Sequence, residues 1–408
     1  SAGAESWRLP MELIANVFDE ARGYGQQKNP DRLLVRLSKE GRNPAILEVM
    51  DNGGGFQELS DIWTLFRSTE KRKSATVAGR FNAGEKQLIA TSIRASIQSK
   101  TSAVTIDNKL GKRTVKKNVK REVPKGCEWI TEGSTDDWDG VYIRVELQWN
   151  ASEFEQSVQA IRKVIPPQGL AFKFLAVSGL NVVAGTPVEE MVEPPARIAQ
   201  TTAFLPTVLL DARDGVTALR RTTRKTTVEV LSTFSVDDEQ PAMLYELGIP
   251  ICEIGMEFPH SLNVHQKVPV PLSRDVVDIK YLERLIGATI EGCALDGITL
   301  INEDNADAPF IKKSLDHVKD EDALRIVMEK TFPDSLQFSS DTVANMRAMA
   351  DGKQILTRGT FGTATVARLK QHDILPTAVG LGLGVDRKQT NKPKIVCPNC
   401  SADLDGIL

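Results

Sequence analysis

Two polar residues, Glu12 and Asn16, lie four positions apart in the mostly apolar residues 11–21. The apolar side chains recur at the spacing of one helical face, at Leu13, Ile14, Val17, Phe18 and Ala21. This periodicity predicts a helix that packs one face against a core. Residues four apart lie one turn above each other, so the carboxylate and the carboxamide would share a face. A carboxylate can accept a proton from water, and a carboxamide offers a neutral oxygen to a hard cation.

A second polar group follows the apolar residues 45–50, which predict a short strand. The strand runs into Asp51, which is followed by three glycines at positions 53–55. Glycine has no side chain, so the backbone here can approach a ligand closely. Residues 33–37 predict a partner strand, and the turn at 41–44 would join the two strands as a hairpin.

A third group lies between residues 78 and 90, where glycines bracket a polar loop that runs into a helical pattern. Its candidate binding residues are Gly79, Asn82, Ala83, Gly84 and Lys86. The start of a helix presents free N–H groups and the positive end of its dipole, so residues 79–84 predict an anion site. The polar, basic residues 67–78 before it have no periodicity and predict a mobile loop.

Alternating side chains after this loop predict antiparallel strands, most clearly at residues 103–106 and 141–147. A basic run at residues 109–121 lies between these two strands. It is either the solvated tip of a hairpin or a contact for nucleic acid. Residues 152–164 predict a helix, and residues 171–184 predict a closing pair of strands.

The domain organisation follows from a change in composition at residues 187–196, where prolines cluster and predict a linker. We expect a first domain at residues 1–187 and a second domain at residues 197–300, which contains strands and a basic turn at 220–225. Residues 301–408 are predicted to form a helical C-terminal region with a flexible, basic tail.

The composition is that of an ordinary globular protein, with 41% hydrophobic and 26% charged residues. A chain of 408 residues is too long for one core. The net charge of -3 gives no overall attraction to nucleic acid or to an anionic membrane. No apolar run approaches the roughly 20 residues of a membrane span. An odd number of cysteines and the lack of a signal-peptide pattern favour a cytoplasmic location.

The order of the three polar groups resembles the ATP-binding domain of the GHKL superfamily, which includes DNA gyrase, a heat-shock chaperone, histidine kinases and MutL-type repair proteins. The matching pattern is Glu12-x-x-x-Asn16, then Asp51-x-Gly53-x-Gly55, then the loop at 79–84. The resemblance covers about residues 8–150. It implies an α+β fold, with a Bergerat α/β sandwich followed by a transducer-like domain of the ribosomal S5 domain 2 type and a smaller C-terminal region.

The resemblance also implies a role for each matching residue. Glu12 would be the general base that activates water, and Asn16 would bind Mg²⁺. Asp51 would accept the exocyclic amine of adenine. The other nucleotide-binding residues would be Gly53, Gly55, Gly79, Asn82, Ala83, Gly84 and Lys86. The implied cofactors are ATP and Mg²⁺, and the implied activity is ATP hydrolysis.

In the second domain, Gln266 and Lys267 lie where gyrase, MutL and topoisomerase VI carry a transducer lysine. The resemblance implies that Lys267 reaches back to the terminal phosphate, with Gln266 beside it. A lysine can bind phosphate as a point charge. Simpler alternatives remain open: an exposed helix face for Glu12 and Asn16, an Asx turn for Asp51, and a surface charge for Lys267.

Two positions depart from the family pattern. Asn82 stands where many relatives carry glycine, and Gly140 is followed by Val141 rather than by threonine. Asparagine tolerates the left-handed backbone better than most residues, so the loop can still turn at Asn82. Valine has no hydroxyl with which to support Asp51 through water, so we expect weaker nucleotide binding and slow turnover.

Cys397 and Cys400 form a single C-x-x-C pair near the end of the sequence. A structural zinc site takes four ligands, and the sequence contains no second pair. His372 and Cys293 are remote in the sequence. The pair would be half of a zinc site or two free thiols, and zinc is the less favoured of these expectations.

The leading hypothesis is an ATP-dependent conformational machine in which ATP closes the loop at 79–84, engages Lys267 and reorients the second domain. Relatives often dimerise when ATP binds, so we expect a homodimer that acts on a protein client or on nucleic acid. The domain order is also similar to that of rIIA-type phage proteins and other phage or bacterial members.

Two other functions compete with this hypothesis. A histidine kinase needs a phosphoacceptor histidine before the ATP domain, and the four histidines all follow it, at positions 260, 265, 317 and 372. A non-catalytic, nucleotide-regulated module would instead use the basic runs at 109–121 and 220–225 to bind nucleic acid.

Overall fold

The computed structural model describes most of the chain. The described residues are 8–24, 28–56, 74–78, 84–120, 123–131, 138–178, 188–213, 216–233, 241–255, 258–270, 277–302, 305, 308–356 and 361–383. The chain divides into two compact units, Ser1–Leu300 and Ile301–Leu408. None of the helices in these residues is both long and apolar enough to cross a membrane.

An eight-stranded sheet organises the first part of the first unit, in the order β5-β4-β3-β6-β2-β1-β7-β8. Its strands are β1 (Arg32–Lys39), β2 (Ala45–Asp51), β3 (Arg94–Ser99), β4 (Ser102–Asp107), β5 (Lys112–Lys117), β6 (Val141–Leu147), β7 (Ala171–Ser178) and β8 (Val188–Met191). Neighbouring strands are antiparallel, except that β1 and β7 run parallel. Strand β2 lies between β6 and β1, so its last residue, Asp51, lies well inside the sheet.

Three helices pack on one face of this sheet: α1 (Leu9–Asp19), α2 (Gly84–Thr91) and α3 (Ala151–Arg162). Helix α1 packs against β2 and against both other helices. Its Ile14 and Phe18 are fully buried, and each contributes about 2 kcal/mol to folding by removing apolar surface from water. Leu47 and Val49 of β2 belong to the same core. Because strand side chains alternate, Asp51 faces the helices as well.

Local sequence explains how these helices begin and end. Pro10 lies in the first turn of α1, where its missing N–H costs nothing. Beyond α1 the chain continues into a π-helical turn, Glu20–Tyr24, in which Gly23 has a φ of 87°. Helix α3 begins with a capping box, since Asn150 and Glu153 each accept the other's backbone N–H.

The opposite face of the sheet is covered in part by residues 123–131, which include a 3₁₀ turn at Glu128–Thr131. A small apolar cluster forms there from Leu34, Met50, Cys127, Ile130 and Trp138. This cluster buries Leu34 and Met50, so the end of β2 is covered on both faces of the sheet.

A five-stranded sheet follows in the same unit, in the order β12-β11-β13-β10-β9. Its strands are β9 (Arg197–Arg213), β10 (Val216–Leu231), β11 (Met243–Glu246), β12 (Ile249–Glu253) and β13 (Ser261–Val264). Helix α4 (Ile279–Leu295) packs on β9. The packing is close at Gly292, where a Cβ atom would lie 1.9 Å from Oγ1 of Thr201.

Two segments differ from the sequence-based expectations. Val188–Met191 was expected in the linker but forms β8, which pairs with β7, so the first sheet extends beyond residue 187. Residues 220–225 were expected to form a turn but lie inside β10, paired with β9. Threonines favour strands, and long cationic side chains tolerate an exposed strand well, so the basic charge did not mark a turn.

The second unit is mostly helical in its described residues. Its elements are α5 (Pro309–Leu315), α6 (Glu321–Thr331), β14 (Leu336–Gln337), α7 (Thr342–Ala350), β15 (Ile355–Leu356) and α8 (Thr363–Gln371). Asp320 and Asp341 cap the starts of α6 and α7, since each carboxylate accepts a backbone N–H of the first turn. The tail, including Cys397 and Cys400, lies outside the described residues.

Candidate functional site

Glu12 and Asn16 lie on the face of α1 that is neither fully buried nor fully exposed. Both side chains are half-buried, and Glu20 one turn further along is half-buried too. The residues between them, such as Ile14 and Phe18, are buried in the core. The predicted carboxylate and carboxamide therefore share a polar stripe along the border of the helix, in contact with the interior and with solvent.

Asp51 is almost completely buried at the end of β2, with 4% of its surface exposed. Its Oδ1 accepts the N–H of Gly53 at 2.8 Å, and the backbone N–H of Val141 also donates to the carboxylate. These two bonds fix the orientation of the side chain. The valine that replaces the expected threonine therefore still supports Asp51, through its backbone rather than through a hydroxyl.

Burial raises the pKa of Asp51 from 3.8 to about 7, and the negative charge of Glu20 acts in the same direction. The two N–H donors oppose this change only in part. The effect of Glu20 also means that the end of α1 lies near Asp51. A carboxyl group with this pKa changes its charge near neutral pH, which is a feature of many functional sites.

Glycines make room for the backbone around Asp51. A Cβ atom on Gly140 would lie 1.8 Å from the carbonyl oxygen of Asp51, and one on Gly55 would lie 2.5 Å from Oγ of Ser99. Gly55 also has a φ of 73°, which favours glycine. The same carbonyl of Asp51 accepts a hydrogen bond from Nε1 of Trp138 at 2.9 Å. The glycines therefore allow the two chain segments to approach each other at this point.

Lys267 comes from the second sheet and contacts the first part of the chain at residues 74–78. Its backbone N–H donates to the carbonyl of Ala75 at 2.7 Å, and its Nζ donates to the carbonyl of Ser74 at 2.8 Å. The lysine is buried, with 2% of its surface exposed. It is therefore part of the packing between the two sheets and does not form an exposed surface charge.

The loop that carries Lys267 is held in place by further hydrogen bonds. Thr207 donates to the carbonyl of Lys267 at 2.8 Å, and Glu246 accepts the N–H of Val268 at 2.7 Å. Gln266 is also buried, and its Nε2 donates to the carbonyl of Leu205 at 3.1 Å. In this structure Gln266 supports the loop from within the second sheet.

Residues 74–78, here called the root segment, immediately precede the predicted phosphate loop. Ala75, Val77 and Ala78 are buried, although the sequence predicted a mobile polar loop there. Oδ1 of Asp19, on α1, accepts the N–H of Ala78 at 2.9 Å. The root segment is therefore held near one end by Lys267 and at the other by α1.

Some predicted binding residues lie outside this geometry. Residues 79–83, including Gly79, Asn82 and Ala83, are outside the described residues, and for Gly84 only its place at the start of α2 is described. Lys86 lies in the first turn of α2 and is buried. In the part of the chain that the structure describes, no group of three His, Cys, Asp or Glu residues could hold a metal ion.

Comparison with known proteins gives only distant structural similarity. No family model matches the chain, and no curated protein matches it. One similar solved structure is the N-terminal domain of a DNA repair protein, with 13% identity and a TM-score of 0.37 over 68% of this chain and 89% of that chain. Another is the ATPase region of Saccharomyces cerevisiae topoisomerase II, with 7% identity and a TM-score of 0.37 over 69% and 82% of the two chains.

Three residues near the site were missed in the sequence: Asp19, Glu20 and Arg22. Asp19 and Glu20 lie seven and eight positions after Glu12, which places them close to the same helical stripe. That spacing could have identified them. Arg22 lies beyond the end of α1, three positions after Asp19, and this spacing could have indicated the ion pair. Its other contact, with Leu247, is 225 positions away, so no local pattern marks that contact.

Proposed function

We propose that the chain binds Mg²⁺ and ATP between α1 and the end of β2, and that it hydrolyses ATP slowly to drive a change between its two sheets. The observation that supports this most is the position of Lys267. A lysine from the second sheet packs on residues 74–75, a few positions before the predicted phosphate loop. A lysine placed in this way can sense the terminal phosphate of a nucleotide.

The described residues fit this ligand. Asp51 offers a buried carboxylate for the exocyclic amine of adenine, with neighbouring backbone held close by glycines. Asn16 offers one neutral oxygen to Mg²⁺, which usually binds few protein groups and keeps phosphate and water ligands. Bound Mg²⁺ would neutralise charge on the phosphates.

The protein's own residues would divide the reaction between them. Glu12, one turn before Asn16, would accept a proton from the attacking water, and general-base catalysis contributes roughly 10²–10⁴ in rate. Lys267 would leave the carbonyl of Ser74 and neutralise charge on the terminal phosphate. The root segment would then lose its contact with the side chain of Lys267 and keep the bond from the backbone N–H of Lys267 to Ala75. That loss would couple ATP binding to movement of the second sheet and to dimerisation.

Calorimetry tests the binding step. We expect wild-type protein to bind a non-hydrolysable ATP analogue with Mg²⁺, and Asp51→Asn to bind it much more weakly, because an amide cannot replace the carboxylate as an acceptor without also presenting a donor. Equal affinity of both proteins would disprove the assigned adenine contact.

A coupled assay of phosphate release tests the hydrolysis step. Glu12→Ala should remove hydrolysis but keep binding of the analogue, because Glu12 acts on water and not on the nucleotide. Phosphate release at the level of buffer in both wild type and Glu12→Ala would rule out the ATPase, even if the nucleotide binds.

A second candidate function is nucleic-acid binding without catalysis. All six residues of β5 are exposed on both faces at the edge of the first sheet, and four of them are Lys or Arg. Residues 220–225 of β10 are also exposed. This function predicts DNA binding that weakens steeply with salt and does not depend on ATP. A gel shift that is absent or insensitive to salt would exclude it.

A further inference from the structure

The root segment is held by contacts near both of its ends and at its centre. Lys267 binds the carbonyls of Ser74 and Ala75, and Asp19 accepts the N–H of Ala78. Between these points, the hydroxyl of Thr76 hydrogen-bonds to the hydroxyl of Tyr24 in the π-helical turn. The root segment is therefore held by Lys267 and by side chains of α1 and its extension.

Asp19 is well placed to act as the main anchor. It is fully buried and lies one turn after Asn16 on the same helix. Gly79, the first residue of the predicted phosphate loop, comes directly after Ala78. A hydrogen bond from a backbone N–H to an ionised carboxylate is stronger than one between neutral groups. Asp19 thus fixes the end of the root segment relative to Asn16.

Asp19 is also connected to the second sheet through Arg22. Nη1 of Arg22 lies 3.9 Å from Oδ1 of Asp19, and its Nη2 donates to the carbonyl of Leu247 at 2.6 Å. Burial lowers the pKa of Arg22, and the negative charge of Asp19 opposes this change. The guanidinium thus lies between the carboxylate of Asp19 on α1 and a backbone carbonyl of the second sheet.

The carbonyl that Arg22 binds belongs to a rigid turn. Leu247 and Gly248 join β11 to β12 with φ values of 52° and 81°. The N–H of Gly248 donates to Oδ1 of Asn263 at 2.9 Å, and Nδ2 of Asn263 donates to Glu229 at 2.8 Å. Asn263 lies on β13, the strand that leads into Lys267.

These contacts form a closed path from the root segment through α1 and the 247–248 turn to β13, and back to the root segment through Lys267. We propose that Asp19 and Arg22 are positioning residues that fix the start of the phosphate loop and link its position to the second sheet. This role rests on the proposed ATP site. It acts on the triphosphate end of the nucleotide, because the adenine end depends on Asp51.

Asp19→Asn tests the anchor with little change in shape. We expect the Kd for a non-hydrolysable ATP analogue to rise about tenfold, because a neutral amide replaces a charged acceptor for the N–H of Ala78. The Kd for AMP should stay within about twofold, since AMP has only the phosphate nearest the adenosine. Calorimetry with each nucleotide gives this ratio directly.

Arg22→Lys tests the link and guards against a folding defect in Asp19→Asn. Lysine keeps the positive charge but cannot bind Asp19 and the carbonyl of Leu247 with one planar group. We expect a selective loss of about threefold for the analogue. The double variant should lose no more than Asp19→Asn alone, because the two residues act through one connection.

Asp316→Asn is the matched control, since Asp316 also accepts a backbone N–H, that of Thr365, but lies in the second unit. It should lose thermal stability without any change in the two Kd values. Equal loss of AMP and analogue binding in Asp19→Asn, or no loss, overturns the positioning role. If the wild type binds neither nucleotide, the proposed ATP site fails, and the positioning role fails with it.

Discussion

Asp51→Asn should stabilise the folded protein at high pH even though it removes nucleotide binding. Asp51 is buried, and burial together with the charge of Glu20 raises its pKa from 3.8 to about 7. Above pH 7 the wild-type protein must therefore keep an ionised carboxylate away from water. Asparagine has nearly the same shape and can still accept the N–H of Gly53, but it carries no charge.

The size of this effect follows from the two pKa values. Between pH 3.8 and about 7 the unfolded chain releases the proton of Asp51 while the folded protein keeps it. The contribution of Asp51 to the stability of the wild type is therefore highest below pH 3.8 and falls as the pH rises towards 7. Each pKa unit corresponds to about 1.4 kcal/mol, so the total loss at pH 8 is about 4 kcal/mol. At pH 5 the loss is about 1.7 kcal/mol.

Urea unfolding at two pH values measures the effect. The gain in unfolding free energy of Asp51→Asn over wild type should be about 2.5 kcal/mol larger at pH 8 than at pH 5. Taking this difference cancels any change in hydrogen bonding that does not depend on pH. Asp351→Asn, at an exposed position, is the control, and its gain should change by less than about 0.5 kcal/mol.

The result that would refute this reasoning is a gain that is the same at both pH values, or one that is smaller at pH 8. Either outcome would mean that ionised Asp51 does not destabilise the folded protein. The expected result would show that the carboxylate at the end of β2 is kept at the expense of stability, as is common at functional sites.

Four further predictions concern other parts of the first unit. Gly248→Ala should lower the urea midpoint by an amount equivalent to about 2–4 kcal/mol, because φ is 81° and a Cβ atom would lie 2.1 Å from the carbonyl oxygen of Ile165. Glu229→Gln should lower the melting temperature more at about pH 6 than at about pH 3. Burial opposes ionisation of Glu229, but bonds from neighbouring side chains lower its pKa to about 2. Glu229 therefore stabilises the folded protein above pH 4.5, and this stabilisation is lost as the pH falls towards 2. Lys267→Met should reduce the rate of phosphate release about 10²–10³-fold while calorimetry shows little change in ADP binding. ADP affinity of the wild type should increase as the pH rises through 7, because ionised Asp51 is the stronger acceptor, and a flat pH profile would contradict this.

The local sequence was sufficient to predict the first helix and the strand that ends at Asp51. Apolar spacing in residues 11–21 fixes which face of α1 is buried, and the short apolar run at residues 45–50 predicts the strand β2. The glycine triplet at residues 53–55 indicates a close approach of two chain segments even when the second segment is not known. These features depend on residues only a few positions apart, so periodicity alone determines them.

The structure decided what each buried polar group touches. The polar stripe on α1 is visible in the sequence. The bond from Ala78 to Asp19 and the support of Asp51 by the N–H of Val141 are not, because both depend on pairing between distant segments. The cluster of charge at residues 220–225 predicts a turn, whereas the threonines within it favour a strand. In the fold these residues form a strand, because β9 provides a partner along their whole length.

Local patterns are therefore enough to predict the polar stripe of Glu12 and Asn16 and the strand end at Asp51, and to identify Lys267 as a candidate. Only the tertiary structure decided that this lysine contacts the root segment rather than solvent, and that Arg22 binds the turn at Leu247. The physical reason is that these contacts join residues about 200 positions apart. Their geometry depends on how two sheets pack, and no local pattern of side chains encodes that packing.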